Sequence, residues 1–429
     1  MHAYTSLLST DREIGISIEF LELLTAGYHK KDFAVRLWDG TIWGNVDSPR
    51  FTLILNHPGA LRGMFLSPSE LTLGEAFIYD DFDIEGDIEG MFALGDFLLN
   101  RNYSLVEKLK LGSLIAALPE TEFPVHRPKE NSLTGSLHSK ERDRHAIAFH
   151  YDVSNDFYSL WLDRSMSYSC AYFRSLKDSL DTAQESKLDY ICRKLRLRPG
   201  DRLLDVGCGW GGLAIYAAKH FGADAFGITL SVSQAEEARE RIRAAGLGER
   251  CKVEMRDYRE LDPAQGFDKI VSVGMFEHVG EKLLPEYFQR IWNILRPGGV
   301  FLNHGIAQFA TFQRQGPSFI DKYVFPGGEL VPLNTTLRAA EECGFEVRDV
   351  ESLREHYALT LSHWVRRLEA KATEAKKIVK EVKYRIWRLY MAGSAHGFIS
   401  GRLNVYQVLL GKFGHGHSPL PLTREDWYA

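Results

Sequence analysis

The sequence predicts an α/β chain: a doubly wound, mostly parallel sheet in its later part, with a smaller α+β domain at the N-terminus. Three observations lead there. The run Leu203-Leu204-Asp205-Val206-Gly207-Cys208-Gly209-Trp210-Gly211-Gly212 begins as a buried strand, ends as a glycine turn, and passes into a helix pattern at Leu213 to Lys219. After it, strand and helix patterns alternate, which implies parallel strands joined by crossover helices. The first 120 residues or so carry short alternating segments and tight turns instead.

In order, Ile14, Ile18, Leu21 and Leu24 recur at helical spacing within residues 1–30. Phe33 to Trp38 reads as a strand; Asp39-Gly40 is a hairpin turn, and Thr41 to Gly44 returns. Phe51 to Leu55 is a further strand, with helices expected at 59–66 and 89–117 and the stretch Leu73 to Phe77 between them. Glu75, Asp81, Asp83, Glu85 and Asp87 form an acidic edge, read as solvated rather than metal-binding. Residues 1–118 thus form one small α+β domain, a candidate for lipid association. Residues 119–144, polar and rich in Pro, Ser, His, Lys and Arg, read as a linker. Residues 145–429 form the second domain, beginning with an aromatic-dense approach segment that runs to Phe173.

Beyond the glycine loop, Ala223 to Ile228, Lys252 to Met255, Phe267 to Val273 and Val300 to His304 read as strands. Leu295 to Gly299 is a turn, 307–335 a long insertion, Gly344 to Val350 a late strand, and 360–410 mainly helix. Ligands on such sheets sit beyond the carboxyl ends of the strands. Gly207, Thr229, Asp257, Met275 to Glu277 and His304 all fall at that edge.

Composition narrows the function classes. A net charge of −5 argues against nucleic acid as a partner. Cysteines 170, 192, 208, 251 and 343 show no metal-ligand spacing, and no metal site is proposed. Their odd number and scattered placement suit reduced thiols in a cytoplasmic protein. No apolar run reaches spanning length, so contact with lipid would be made from the surface. Between Arg366 and Arg388 stand nine basic and three acidic residues among aromatics and aliphatics. Such a helix can rest on an anionic membrane, or simply pack with a solvated face.

Glycines 207, 209 and 212 let the backbone pass close to a bulky ligand, and the helix N-terminus behind them favours polar groups. A dinucleotide site wants an acid at the end of the next strand. Here that strand runs into Thr229-Leu230-Ser231-Val232-Ser233-Gln234, without a carboxylate, so nicotinamide is disfavoured. An S-adenosylmethionine (AdoMet) loop places an acid just before its first glycine, and Asp205 stands there. Cys170, Glu277, His304 and Tyr357 are candidates for a shared pocket, although each alone has an ordinary structural account.

Five segments in this order carry a resemblance: His150 to Tyr158, Tyr168-Ser169-Cys170-Ala171-Tyr172-Phe173, Leu204 to Gly211, Gly227-Ile228-Thr229-Leu230-Ser231, and Gly274-Met275-Phe276-Glu277-His278-Val279-Gly280. Over about residues 145–425 the chain resembles the cyclopropane-fatty-acyl-phospholipid synthases, relatives of the mycolic acid cyclopropane synthases; the N-terminal part is more loosely similar. The resemblance implies a class I AdoMet-dependent methyltransferase fold. It implies methylene transfer from AdoMet onto a cis double bond of an unsaturated phospholipid acyl chain, with bound bicarbonate as base. By motif, Tyr168, Ser169, Asp205, Gly207, Gly209, Thr229, Leu230, Ser231, Gln234, Asp257 and Tyr258 would meet AdoMet. Cys170, Glu277, His304, the backbone of Ile306, and Tyr357 would hold the bicarbonate. The 27-residue gap from Glu277 to His304 fits the pattern; Gly305 departs from members with Thr there.

An alkene is a weak nucleophile and reacts only if held in line and dry. The resulting carbocation can be stabilised by rings such as Tyr168, Tyr172 and Phe173, at about 2 kcal/mol when desolvated, and closes to a ring when a base removes a proton. The implied setting is cytoplasmic, peripheral on the inner face of the membrane, as a homodimer. Alternatives are a related AdoMet methyltransferase making methyl-branched lipids or methylating a small amine, and a lipid-binding protein with an inert methyltransferase domain.

Overall fold

The computed structural model describes residues 2–120, 153–311, 318–413 and 418–428 of the chain. They fall into two compact units. The linker expected at 119–144 lies, from residue 121 on, outside the described residues, as does His150-Tyr151-Asp152.

The first unit draws its residues from 1–131, 316–324 and 380–396. The division at residue 118 expected from composition is therefore not how the chain divides in space: two later stretches fold with the N-terminal part. Four strands, β1 (Phe33–Arg36), β2 (Ile42–Gly44), β3 (Phe51–Leu55) and β4 (Phe82–Gly86), form a sheet in the order β2-β1-β3-β4. The Asp39-Gly40 turn joins β1 to β2, with Gly40 at φ +94° as such a turn requires. The acidic edge is β4 itself: Phe82 and Ile84 are buried while Asp83 and Glu85 point outward. Those acids are paired as well as solvated. Glu85 meets Arg36, and Asp83 meets Arg385 at 2.8 Å. Glu75 accepts from Lys322 and Tyr323. Leu73 to Phe77, the stretch between the two expected helices, is itself part of a helix, Glu70–Ile78.

The second unit is built on a seven-stranded sheet of order β10-β11-β9-β8-β5-β6-β7. Its strands are β5 (Arg202–Val206), β6 (Asp224–Thr229), β7 (Cys251–Met255), β8 (Phe267–Val273), β9 (Leu295–Gln308), β10 (Glu346–Ser352) and β11 (Leu403–Gly411). β5 to β9 pair in parallel; β11 runs antiparallel between β9 and β10. Helices cover both faces. Leu203 packs with the helices Leu180–Lys194, Gly212–Phe221 and Val232–Ala244, while the next residue, Leu204, packs with Leu284–Ile294 and Leu333–Glu342. This alternation from one residue to the next is what a parallel sheet buried on both sides demands.

The expectation of helix to residue 410 fails at its end. The helix stops at Ile399, and Leu403-Asn404-Val405-Tyr406-Gln407-Val408-Leu409-Leu410-Gly411 enters the sheet as β11. A short apolar run reads alike as buried helix or buried strand, and here the open side of β9 decides it.

Candidate functional site

β5 and β8 are neighbours, but the chain leaves β5 toward β6 and leaves β8 toward β9, on the opposite side. That reversal opens a crevice at their carboxyl ends. Gly207 follows β5 at φ +81°, and a Cβ there would lie 2.8 Å from Met275 Cβ, so glycine is the residue that fits. A cavity of about 140 Å³ lies at this point.

Ten of the eleven residues expected at the cofactor line it: Tyr168, Ser169, Asp205, Gly207, Gly209, Thr229, Leu230, Gln234, Asp257 and Tyr258. Ser231 does not; its buried Oγ accepts from the Gln234 N–H at 3.3 Å and caps the following helix. Thr229 donates its hydroxyl to Gln234 Oε1 at 2.8 Å, fixing that amide. Asp257 is gripped by Arg259, whose Nη2 meets Oδ2 at 2.6 Å while its Nε and backbone N–H donate to Oδ1. Lys187, Arg256, Arg259 and His278 also line the cavity, and nothing in the glycine-loop motif points to them. Burial pushes the Asp205 carboxyl up to about 7, against the opposing pull of Lys187.

A second cluster stands where β8 ends. Gly274 N–H donates to His304 O at 2.9 Å, the last rung of the β8–β9 ladder. The next donor on β9, Ile306 N–H, lies past the end of β8 and has no strand on that side. The Glu277 carboxylate, carried on a short turn after β8, Phe276–His278, fills that place, its Oε1 accepting from Ile306 N–H at 2.8 Å. Glu277 Oε2 is buried and has no partner among the described residues. Burial raises this carboxyl to about 7, against the Ile306 N–H that favours the charged form. His304, on the same face of β9 as Ile306, is 1% exposed, and its Nδ1 accepts from Gln407 Nε2 at 3.2 Å across the β9–β11 pair. The ring is then the Nε2–H tautomer, and that buried Nε2 also lacks a partner among the described residues. Burial, with Lys187 and Lys194, holds His304 down to about 3, so it is neutral.

Cys170 and Tyr357 approach through Leu353. The Cys170 thiol lies 3.7 Å from Leu353 O, which also accepts from Tyr357 N–H at 3.0 Å. Leu353 N–H in turn bonds to Val405 O, and Val405 sits opposite Ile306 in the β9–β11 register. A run of mostly backbone contacts thus links the segments that carry these residues, while the Tyr357 ring itself packs on Trp364 and Phe398. Burial pushes the Cys170 thiol well above its ordinary range, so it is no thiolate nucleophile. At Gly305 a Cβ would lie 2.9 Å from the Phe276 ring, so glycine here is matched to Phe276.

Two expectations need correction. Of the rings thought to face a cation, Tyr168 lines the cavity, packed against Trp161 and Trp364 at 5.4 and 5.2 Å. Tyr172 stacks instead on Tyr190 and His356, and Phe173 on His363. The chain at 170–173 is pinned to the helix Arg354–Ala370 by Thr360 and His356, which turns those rings away. In the basic stretch, Arg367 is spent on Asp181 and Leu162 O, and Arg385 and Arg388 are buried against Asp80, Asp83 and Ile84 O. Lys377 and Lys380 remain exposed.

The model of the family described as mycolic acid cyclopropane synthetase matches residues 138–408, well over half of the chain. The chain belongs to this family. A domain of unknown function matches residues 20–96. The chain is 45% identical over 399 residues to a probable fatty acid methyltransferase of Pseudomonas putida, covering 92% of this chain and 95% of the relative. It is 37% identical over 297 residues to the cyclopropane-fatty-acyl-phospholipid synthase of Escherichia coli K12, covering 68% and 75%. Among solved structures, the mycolic acid cyclopropane synthase CmaA1 complexed with SAH and CTAB aligns at a TM-score of 0.60 and 33% identity, over 63% of this chain and 98% of that one. The cyclopropane synthetase member described here thus has the AdoMet-dependent methyltransferase fold, with a mixed rather than purely parallel sheet. Among the described residues no helix is long and apolar enough to cross a membrane.

Proposed function

We propose that the protein transfers a methylene group from AdoMet to the cis double bond of an unsaturated phospholipid acyl chain at a membrane surface, giving a cyclopropane. The carrying observation is that Glu277 Oε2 and His304 Nε2 are both buried without a partner among the described residues, on segments joined by the Glu277–Ile306 hydrogen bond and next in sequence to the cavity-lining Gly274, Met275 and His278. Buried polar atoms are normally satisfied, so two left open on joined segments suit a small polar guest. The donor set fits bicarbonate: an imidazole N–H, a carboxyl protonated in part near neutral pH, and a thiol that stays protonated. When bound, AdoMet supplies an electrophilic methyl and bicarbonate supplies the base.

The chain's own residues do the rest. Gly207, Gly209 and the Thr229–Gln234 pair shape the donor seat. Tyr168 lines the cavity in a dry aromatic cluster with Tyr158, Trp161 and Trp364, where ring faces stabilise positive charge by about 2 kcal/mol. His304 would hold the base through its Nε2–H and Glu277 through its partly protonated carboxyl, with Cys170 and Tyr357 closing the same seat.

A second reading, a methyl branch instead of a ring, is favoured by the 45% identical relative named as a probable fatty acid methyltransferase. Mass spectrometry and NMR of phospholipids from cells with and without the gene separate the two. Gain of one CH₂ with cyclopropyl proton signals supports the ring. The same mass gain without those signals supports an alkene-retaining branched chain, and unchanged lipids remove both.

A further inference from the structure

The donor cavity holds two buried charges of opposite sign that do not touch. Lys187 is 3% exposed and Asp205 2% exposed, and both line the cavity. Lys187 rises from the helix Leu180–Lys194, and its Nζ donates to Ser169 Oγ at 2.9 Å, its one hydrogen bond among the described residues. One turn earlier, Gln184 Nε2 donates to the carbonyls of Ser167 and Ser169. The helix therefore fixes the Ser167–Ser169 segment and the ammonium together. The Asp205 carboxylate ends β5 and makes no hydrogen bond or ion pair among the described residues. Burying a charge without a partner is costly, and two unpaired ones in one cavity doubly so. Direct pairing would have been the cheap solution. A buried cation and a buried carboxyl left unpaired on one cavity wall suit an amino-acid zwitterion, carboxylate toward the first and ammonium toward the second.

We infer that Lys187, with Ser169, is the seat for the α-carboxylate of the donor's methionyl end, with Asp205 facing its α-ammonium. This rests on the proposed AdoMet reading and adds a binding residue to it. The ammonium keeps two N–H donors beyond the Ser169 bond, enough for both carboxylate oxygens. Asp163 and Cys170 also face Lys187 electrostatically, and Asp163 is held by Ser165 and by Ser167 N–H. That leaves the ammonium, not its neighbours, as the open donor.

The test is calorimetric titration of the full chain with S-adenosylhomocysteine and with its decarboxylated analogue, S-adenosyl-3-thiopropylamine. Wild type should prefer the former by about tenfold to a hundredfold, the range for a hydrogen-bonded charge. Lys187→Met should lose most of that preference by weakening S-adenosylhomocysteine while leaving the analogue within about twofold. Equal weakening of both ligands, or of neither, overturns the assignment. Should Lys187→Met fail to fold, the wild-type ratio and Lys187→Arg decide: equal wild-type affinities overturn the seat, and a preference kept by the arginine variant supports it. A wild type that binds neither ligand removes the AdoMet reading itself, a different failure.

Discussion

Replacing Glu277 by Gln should change the pH dependence of stability in a way the geometry fixes. Burial raises this carboxyl from 4.5 to about 7. At about 1.4 kcal/mol per unit, ionising it in the fold costs at most about 3.5 kcal/mol. Because the folded value lies above the unfolded one, the stability this group contributes is fully present below pH 4.5. It is lost as pH rises through about 7. Glutamine has no such slope. Its Oε1 can still accept from Ile306 N–H, but its amide N–H₂ meets a site with no acceptor found for Oε2, at about 1–3 kcal/mol. The variant should therefore be the less stable protein at pH 5, and equal or more stable at pH 8. The assay is urea unfolding of both proteins in carbonate-free buffer from pH 5 to 8. A difference that stays constant to within about 0.5 kcal/mol across that range would refute the burial argument. In the same variant, binding of AdoMet should stay nearly intact and turnover fall sharply; unaltered turnover takes Glu277 out of the site.

Cys170→Ser should keep partial activity, since a buried thiol held in its protonated form can only position a guest; a dead but folded variant, with a thioether trapped on wild type, would contradict this. The His304 ring should show no titration between pH 5 and 8 by NMR, because its neutral form is held down to about 3, and a midpoint near 6.5 would mean that water reaches Nε2. Gly207→Ala should destabilise the fold by ~2 kcal/mol or more, from a left-handed φ plus the Met275 contact, and abolish binding of S-adenosylhomocysteine; retained binding would separate the turn from the seat. Neutralising Lys376, Lys377 and Lys380 should weaken co-sedimentation with anionic vesicles by ~1 kcal/mol per lysine near the surface, and unchanged co-sedimentation would assign these side chains to solvation alone.

The sheet was legible because its signals are local. Leu203 to Gly212 announces a strand, a turn needing positive φ and a helix within ten residues, and each alternation that follows repeats the message. The edge on which the ligand groups fall follows from strand direction alone. Lys187 carries no such mark: a lysine within a helix reads as solvated, and only the Ser169 segment laid across it shows otherwise. Arg259 looks like a surface residue two places from Asp257 until the turn folds its guanidinium back. Tyr172 and Phe173 look interchangeable with Tyr168 along the chain, and the difference comes from Thr360 and His356, nearly 190 residues away. β11 is hidden for the same reason, since its strand character depends on a neighbour, not on its own residues.

Arg385 carries a consequence for biosynthesis. It bonds the carbonyl of Phe77 and the carboxylate of Asp80, 305 residues earlier for the latter, and both ends belong to the first unit. At about 5–20 residues per second, a ribosome that has finished Asp80 needs roughly 15–60 s more before that guanidinium emerges. Through this interval the nascent N-terminal segment waits with Asp80 and Asp83 lacking their arginines. A fragment ending at residue 131 would stay in that unfinished condition permanently.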